Sequence, residues 1–459
     1  MLAQPAPENQ QPQPAQGMKG WFNLKAFLGW IACLAAVGLA MVAWGIHLDS
    51  APAGAPMGEE VGPDEDFQTT QIIQSAVETS VQRRAALIEA SKTPGGNPPS
   101  GLVPLAGVSI YRYNRDAHAK GHGCVVAKFK VSRNVQPQFQ YGVFQKPGAE
   151  YDAIIRYSNG NPSIQADSDK DPRGMAVKLL RVEGPKLMPG EGDDETQDFV
   201  MMNNPVFFIR TLAEYTQFNH LLTTVPNGLW PIVKAYFLED TFDPLRWHLR
   251  ELYLALQAGH AMPDSLLTTR YWSASAYTLG PKQYIKFSAI PCAGNHPKKV
   301  KGVTEDDPDY LRRELQAQSA AGGACFDFAV QPQVVGKNMP VEDTTVEWSE
   351  SDSPFVRLAR IEIEARDNTS AEMYEQCENT AFNPWHALAD HRPVGVMNRV
   401  RKSLYAAMAR FRQDMNCKDQ CSTKCDAEKW PDNACVGAEK MGQQPADGGR
   451  TASYGPPQR

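Results

Sequence analysis

From Phe355 to Ala365 the chain alternates. Val356, Leu358, Arg360, Glu362 and Glu364 fall on one side, and Phe355, Arg357, Ala359, Ile361 and Ile363 on the other. A period of two is incompatible with a helical stripe and predicts a strand. Val125, Ala127, Phe129 and Val131 repeat the pattern, and Tyr151–Ser158, Met175–Arg181, Phe199–Ile209, Tyr271–Ile290 and Phe326–Val335 read as further extended runs. Helical signals are confined to three places. Ile72, Ile73, Ala76, Val77, Val81, Ala85 and Leu87 recur at helical intervals between Phe67 and Ser91. Residues 212–261 are mainly helical and divided by Pro226, Pro231 and Pro244. Val400–Phe411 puts Leu404, Ala407, Met408 and Phe411 on one face. Short strands at close intervals, a helical insert and a helical end predict an α+β protein whose core is an antiparallel β-barrel. There is no internal repeat.

The net charge of −6 over 459 residues, without a basic stripe, argues against a nucleic-acid partner. Ala26–Ile46 carries no charged residue, and about 20 apolar residues suffice to cross a bilayer. Lys19 and Lys25 precede this run and Asp49, Glu59 and Glu60 follow it, with Trp30 and Trp44 near its ends. These flanks predict a single-pass transmembrane helix, N-terminus cytoplasmic and main domain exported to a periplasmic or extracellular space. A cleaved signal peptide ending near Ala51-Pro52-Ala53 is the competing account, and it exports the same domain. The expected organisation is a disordered leader at 1–25, the membrane helix at 26–46, a linker at 47–66, the folded domain at 67–412 and a cysteine-rich tail at 413–459. Of nine cysteines, Cys417, Cys421, Cys425 and Cys435 crowd that tail. In an exported chain they read as disulfides, and Cys-x3-Cys-x3-Cys is not a usual zinc or cluster spacing.

Some chemical motifs fail on their own terms. His118 and His122 stand four apart, but Ala119 replaces the Glu of a zinc protease and Gly121 and Gly123 oppose a helix. Asp167–Asp171 begins like a calcium loop, yet Pro172 and Lys178 stand where Gly and Glu are needed. His118 by itself is an imidazole near neutral pKa, suited to taking a proton and returning it.

Three segments give His118 a context: Arg115-Asp116-Ala117-His118-Ala119-Lys120-Gly121, Asp171-Pro172-Arg173-Gly174-Met175-Ala176-Val177-Lys178, and Asn203-Asn204-Pro205-Val206-Phe207-Phe208-Ile209-Arg210. In this order, with weaker similarity over roughly residues 100–400, the chain resembles the catalase family. The resemblance implies haem b in the folded domain and a peroxide substrate. It puts His118 on the distal catalytic histidine, Ser158 on the serine that bonds it, and Arg115 and Arg156 on arginines that bind haem propionates. Phe207 or Phe208 would line the haem pocket. The family's catalytic Asn falls on Met202, with Asn203 one step away as the candidate for its role. The family holds iron through a tyrosinate in an Arg-x-x-x-Tyr motif on a helix. Aligned on Arg392-Pro393-Val394-Gly395, that tyrosine falls on His386 and its arginine on Phe382, so His386 is the expected metal ligand.

The implied activity is haem-dependent consumption of hydrogen peroxide or an organic hydroperoxide. A membrane anchor brings lipid hydroperoxides within reach. The alternative is a haem-free binding or scaffold module of the same fold. Catalase relatives are commonly oligomers, which the additions at both ends of this chain would affect.

Overall fold

A computed structural model describes residues 58–92 and 112–420, apart from short stretches at 190–194, 226–228, 244–245, 261–262, 297–299, 301–302, 322 and 367–370. Helix α1 (Glu65–Lys92) comes first. Strands β1 (Gly121–Val131), β2 (Glu150–Asn159), β3 (Arg173–Leu180) and β4 (Thr196–Met202) follow as antiparallel neighbours. The helical insert holds α2 (Leu212–Thr224), a helical turn at Leu229–Ile232 that runs into a π-helical turn at Val233–Phe237, and α3 (Leu249–His260). Strands β5 (Tyr271–Trp272), β6 (Tyr277–Thr278) and β7 (Tyr284–Pro291) lead to α4 (Tyr310–Ala321), β8 (Cys325–Pro332) and β9 (Val356–Ile363). Helices α5 (Ala371–Asn379) and α6 (Val396–Gln420) complete the described chain.

The sheet runs β5-β4-β3-β2-β1-β9-β8-β7-β6, and β5 also pairs with β7. That second pairing closes eight strands into a barrel with β6 attached to β7. Tyr271 lies opposite Ala289 and Trp272 opposite Ser288 on one side, while Met202 faces Trp272 on the other. The inward residues are those the alternation selects: Val125, Ala127, Phe129 and Val131 from β1, Ala153, Ile155 and Tyr157 from β2, and Met175, Val177 and Leu179 from β3 are all buried in one core. In β9 the alternation changes phase. Phe328 pairs with Ala359 but Ala329 pairs with Arg357, so Leu358 is an extra residue and joins the core beside Ala359.

Each helix has a local cause. Thr211 and Glu214 form a capping box that starts α2. Helix α1 buries Ile72 and Ala76 against Leu212 of α2 and Val400, Leu404, Met408 and Phe411 of α6. Arg399 holds the same helices at their edge through Glu59, Glu65 and Glu342. The strand expected within Phe199–Ile209 starts earlier, at Thr196, and ends at Met202. The described residues contain two disulfides, Cys124–Cys377 and Cys292–Cys325, both outside the tail.

Among the described residues no helix is long and apolar enough to cross a membrane. The leader, the span expected at 26–46 and the tail cysteines Cys421, Cys425 and Cys435 lie outside them.

Phe328 is fully buried, with ring centroids of Phe199, Phe129 and Phe287 at 4.7, 5.3 and 5.5 Å. Phe328→Ala removes that shared contact and is expected to cost about 3–5 kcal/mol in urea denaturation, enough to threaten folding of the barrel. A loss under about 1 kcal/mol would contradict a single continuous core.

Candidate active site

The site lies on the outer wall of the barrel. Pairing sets Gly174 against Met202, Ala176 against Val200 and Lys178 against Asp198, and these residues point away from the core. Ala176, Val200 and Met202 are half-buried between the more deeply buried ends of this face.

His118 stands at the upper end. It has φ +57°, the left-handed region, so the turn before β1 is strained at this residue. Its backbone N–H donates to the Gly160 carbonyl at 3.0 Å and fixes the turn. Ring Nδ1 lies 2.9 Å from the Asn159 carbonyl and 3.1 Å from Ser158 Oγ. A carbonyl only accepts, so Nδ1 carries the proton and Nε2 is the basic nitrogen. Gly174 makes room: a Cβ there would stand 2.6 Å from His118 Nδ1 and 2.8 Å from Ser158 Oγ. Burial first, and then the Arg156 guanidinium, lowers the His118 pKa from 6.5 to about 4.

Arg115 and Arg156, the residues expected to bind propionates, converge on a protein carboxylate. Glu378 Oε2 accepts from Arg115 at 2.6 Å, and Oε1 accepts from Arg156 Nε at 3.1 Å. Arg156 Nη2 also donates to the His118 carbonyl at 3.0 Å, which links the cluster to the histidine turn. Phe207 and Phe208 are half-buried with ring centroids 4.8 Å apart, and Phe207 meets Tyr215 edge-on.

Helix α6 brings in two residues that had no expected role. Arg401 Nη2 donates to the Tyr405 hydroxyl at 3.2 Å and Nη1 to Asn398 at 3.0 Å. Burial opposes the Arg401 charge, yet Tyr405 and Tyr277 more than offset it and raise its pKa. The same guanidinium is among the charges that lower the His118 pKa.

Comparison with known proteins decides the family. The catalase family model matches residues 112–420, well over half of the chain. The chain belongs to the catalase family. Similar proteins include catalase A of Pseudomonas putida, 24% identical over 59% of this chain and 55% of its own length. The catalase of Ascaris suum is 26% identical over 60% of this chain and 50% of its own. The chain therefore spans about half the length of the curated relatives it matches. A fungal catalase crystal structure superimposes with a TM-score of 0.51 at 19% identity, covering 65% of this chain and 59% of that one. Catalase A from Saccharomyces cerevisiae gives 0.50 at 20% identity, over 65% and 61%. These two likenesses carry the fold: an antiparallel barrel of eight strands with helices.

Helix α6 carries a second candidate ligand besides His386. Arg401-Lys402-Ser403-Leu404-Tyr405 has the Arg-x-x-x-Tyr spacing and lies on a helix. His386, the ligand expected from alignment, is buried with Nδ1 3.2 Å from Asp198, which also pairs with Lys178 at 3.0 Å. Lys178 lies four residues along β3 from the Gly174 position, about 13 Å at roughly 3.3 Å per residue. His386 thus belongs to a polar cluster lower on the wall. Asn203 Oδ1 accepts from the Arg173 backbone N–H at 2.7 Å and its buried Nδ2 has no hydrogen-bond partner among the described residues, while Met202 occupies the outward position beside Gly174.

Gly174→Ala is expected to displace the His118 ring and to reduce any His118-dependent turnover at least about tenfold while far-UV circular dichroism stays unchanged. The pH dependence has a definite sign. The folded His118 takes its proton only near pH 4 and the unfolded ring near pH 6.5, so stability falls as pH drops through that window. His391, lowered by burial and by Lys186 to about 3, contributes in the same direction. His118→Gln should flatten part of the fall, read by urea denaturation at about pH 7 and about pH 4.5. An unchanged slope would show that His118 titrates normally.

Proposed function

We propose that this chain is a haem-dependent, peroxide-consuming oxidoreductase of catalase type. The observation that carries the reading is a buried His118 with its Nδ1 tied to a carbonyl, in a chain whose helix α6 carries an Arg401–Tyr405 pair and whose Arg401 charge acts on that histidine. The donor set fits a haem: a phenol beside a guanidinium suits an iron-binding tyrosinate, and a histidine with a basic Nε2 suits the opposite side. Four guanidiniums, those of Arg112, Arg115, Arg156 and Arg412, act on one carboxylate, Glu378, which gives the site the charge that propionates need.

Haem iron, when bound, supplies the redox centre for cleaving a peroxide O–O bond. The chain's own residues handle the proton. His118 Nε2 takes it from one peroxide oxygen and returns it to the other. The depressed pKa keeps that nitrogen unprotonated at neutral pH. The Asn159 carbonyl holds the tautomer, Ser158 steadies the ring and Gly174 admits it. Arg401 donates to the Tyr405 hydroxyl and holds it in place. Half-buried Met202, Ala176, Val200, Phe207 and Phe208 are apolar, which favours an organic hydroperoxide. The two disulfides support an oxidising compartment, in keeping with export behind the 26–46 segment.

The test is the visible spectrum and haem content of the detergent-purified full chain with three variants. Wild type should show a Soret band at about one haem per chain. Tyr405→Phe should shift or abolish that band, His386→Ala should leave it in place, and His118→Ala should keep the band but lose about a hundredfold or more in peroxide turnover. Loss of the band in His386→Ala alone would restore His386 as the ligand. Comparing hydrogen peroxide with a fatty-acid hydroperoxide assigns the substrate.

A further inference from the structure

Glu378 sits at the end of α5, buried, where four arginines from separate parts of the chain converge. Its carboxylate takes Arg115 and Arg156. Its backbone carbonyl accepts from Arg412 Nη1 at 2.5 Å, Asn379 accepts from Arg112 at 2.8 Å, and the Thr380 carbonyl accepts from Arg115 Nη2 at 2.9 Å. The end of a helix already favours cations through its outward carbonyls. Burial alone would raise the Glu378 pKa, but the guanidiniums of Arg156, Arg115, Arg112 and Arg412 hold it well below the usual carboxylate range.

Two features place this glutamate. Gly121 leaves space for it: a Cβ there would stand 2.5 Å from Glu378 Oε1 and 3.0 Å from Arg156 Nη2. The neighbouring Cys377 is bonded to Cys124, and Cys124 is the register partner of Arg156. The covalent tie therefore joins α5 to β1 beside the arginine that Glu378 engages.

We propose that Glu378 is a resident carboxylate that competes with the carboxylates of an incoming porphyrin for Arg115 and Arg156, and that the Cys124–Cys377 bond sets the strength of that competition. The inference rests on the haem reading above. Both arginines spend donors on the α5 end, so a porphyrin carboxylate engages them only by displacing or sharing with Glu378. Tethering one residue away keeps the effective concentration of the internal carboxylate high. The intrinsic affinity for porphyrin is then reduced by the fraction of molecules in which Glu378 has withdrawn. Removing the tether lowers that effective concentration and favours the external ligand.

The experiment follows transfer of haemin from the full-length holoprotein to excess apomyoglobin, read in the Soret region. Wild type is compared with Glu378→Gln, with Cys124→Ser/Cys377→Ser, and with Cys292→Ser/Cys325→Ser as the control disulfide. The expected result is haemin loss slowed about tenfold or more in the first two variants and unchanged in the control. Haemin retention by these variants alone, with none by wild type, would also support the proposal. Should Glu378→Gln fail to fold, the cysteine-pair variant, checked by circular dichroism, carries the test. Equal or faster loss from the folded variants would overturn the competition and leave the haem reading standing, with Glu378 a structural ion-pair partner. Absence of a Soret band in every form, including after expression with added haemin, would overturn both.

Discussion

Two residues close the barrel. Tyr271 and Trp272 reach β7 on one side, and Trp272 meets Met202 of β4 on the other, so a sheet that would otherwise end in two open edges becomes continuous. Closure separates the strands into an inner face, filled by Phe129, Phe199, Phe287 and Phe328, and an outer face with fixed curvature. The site depends on that curvature. His118, Ser158 and Gly174 come from three consecutive stretches of chain, and only a rigid wall keeps their contacts near 3 Å.

On that wall the chain combines two electrostatic regimes. His118 is kept neutral by burial and by neighbouring positive charge, which suits a group that must accept a proton. A short distance away, guanidiniums are concentrated around Glu378, which stays ionised despite its burial. Arg156 links the two: it bonds Glu378 and the His118 carbonyl, and its charge lowers the His118 pKa. A change in the occupancy of the arginine cluster therefore reaches the histidine turn through one side chain.

Much of this was legible in the sequence where the signal is local. Period-two alternation located β1 and β9, and extended runs located β2, β3 and β8, of which β3 and β8 are buried on both faces. The segment around Gly174 was legible because its glycine has to admit a ring. Helix α4 was not, since it buries Arg312, Glu314 and Gln318 alongside Leu311 and Leu315, and polar residues at buried positions leave no stripe. Arg115 and Arg156 were legible, but their pairing with Glu378 was not, because the Arg115–Glu378 contact spans more than two hundred and fifty residues. Tyr405 lay in plain view. Its helix was expected from Leu404, Met408 and Phe411, but Arg401 and Tyr405 stand beside that apolar stripe at i and i+4. Alignment on Arg392 directed attention upstream to His386 instead.

The Cys124–Cys377 bond spans 253 residues and encloses the rest of the barrel and the whole helical insert. It turns the domain into a covalent ring. A protease that cuts the insert once, for instance in the exposed turn around Phe242, opens the ring but releases no fragment from it. The barrel wall, the histidine turn and α5 remain one molecule after such a nick.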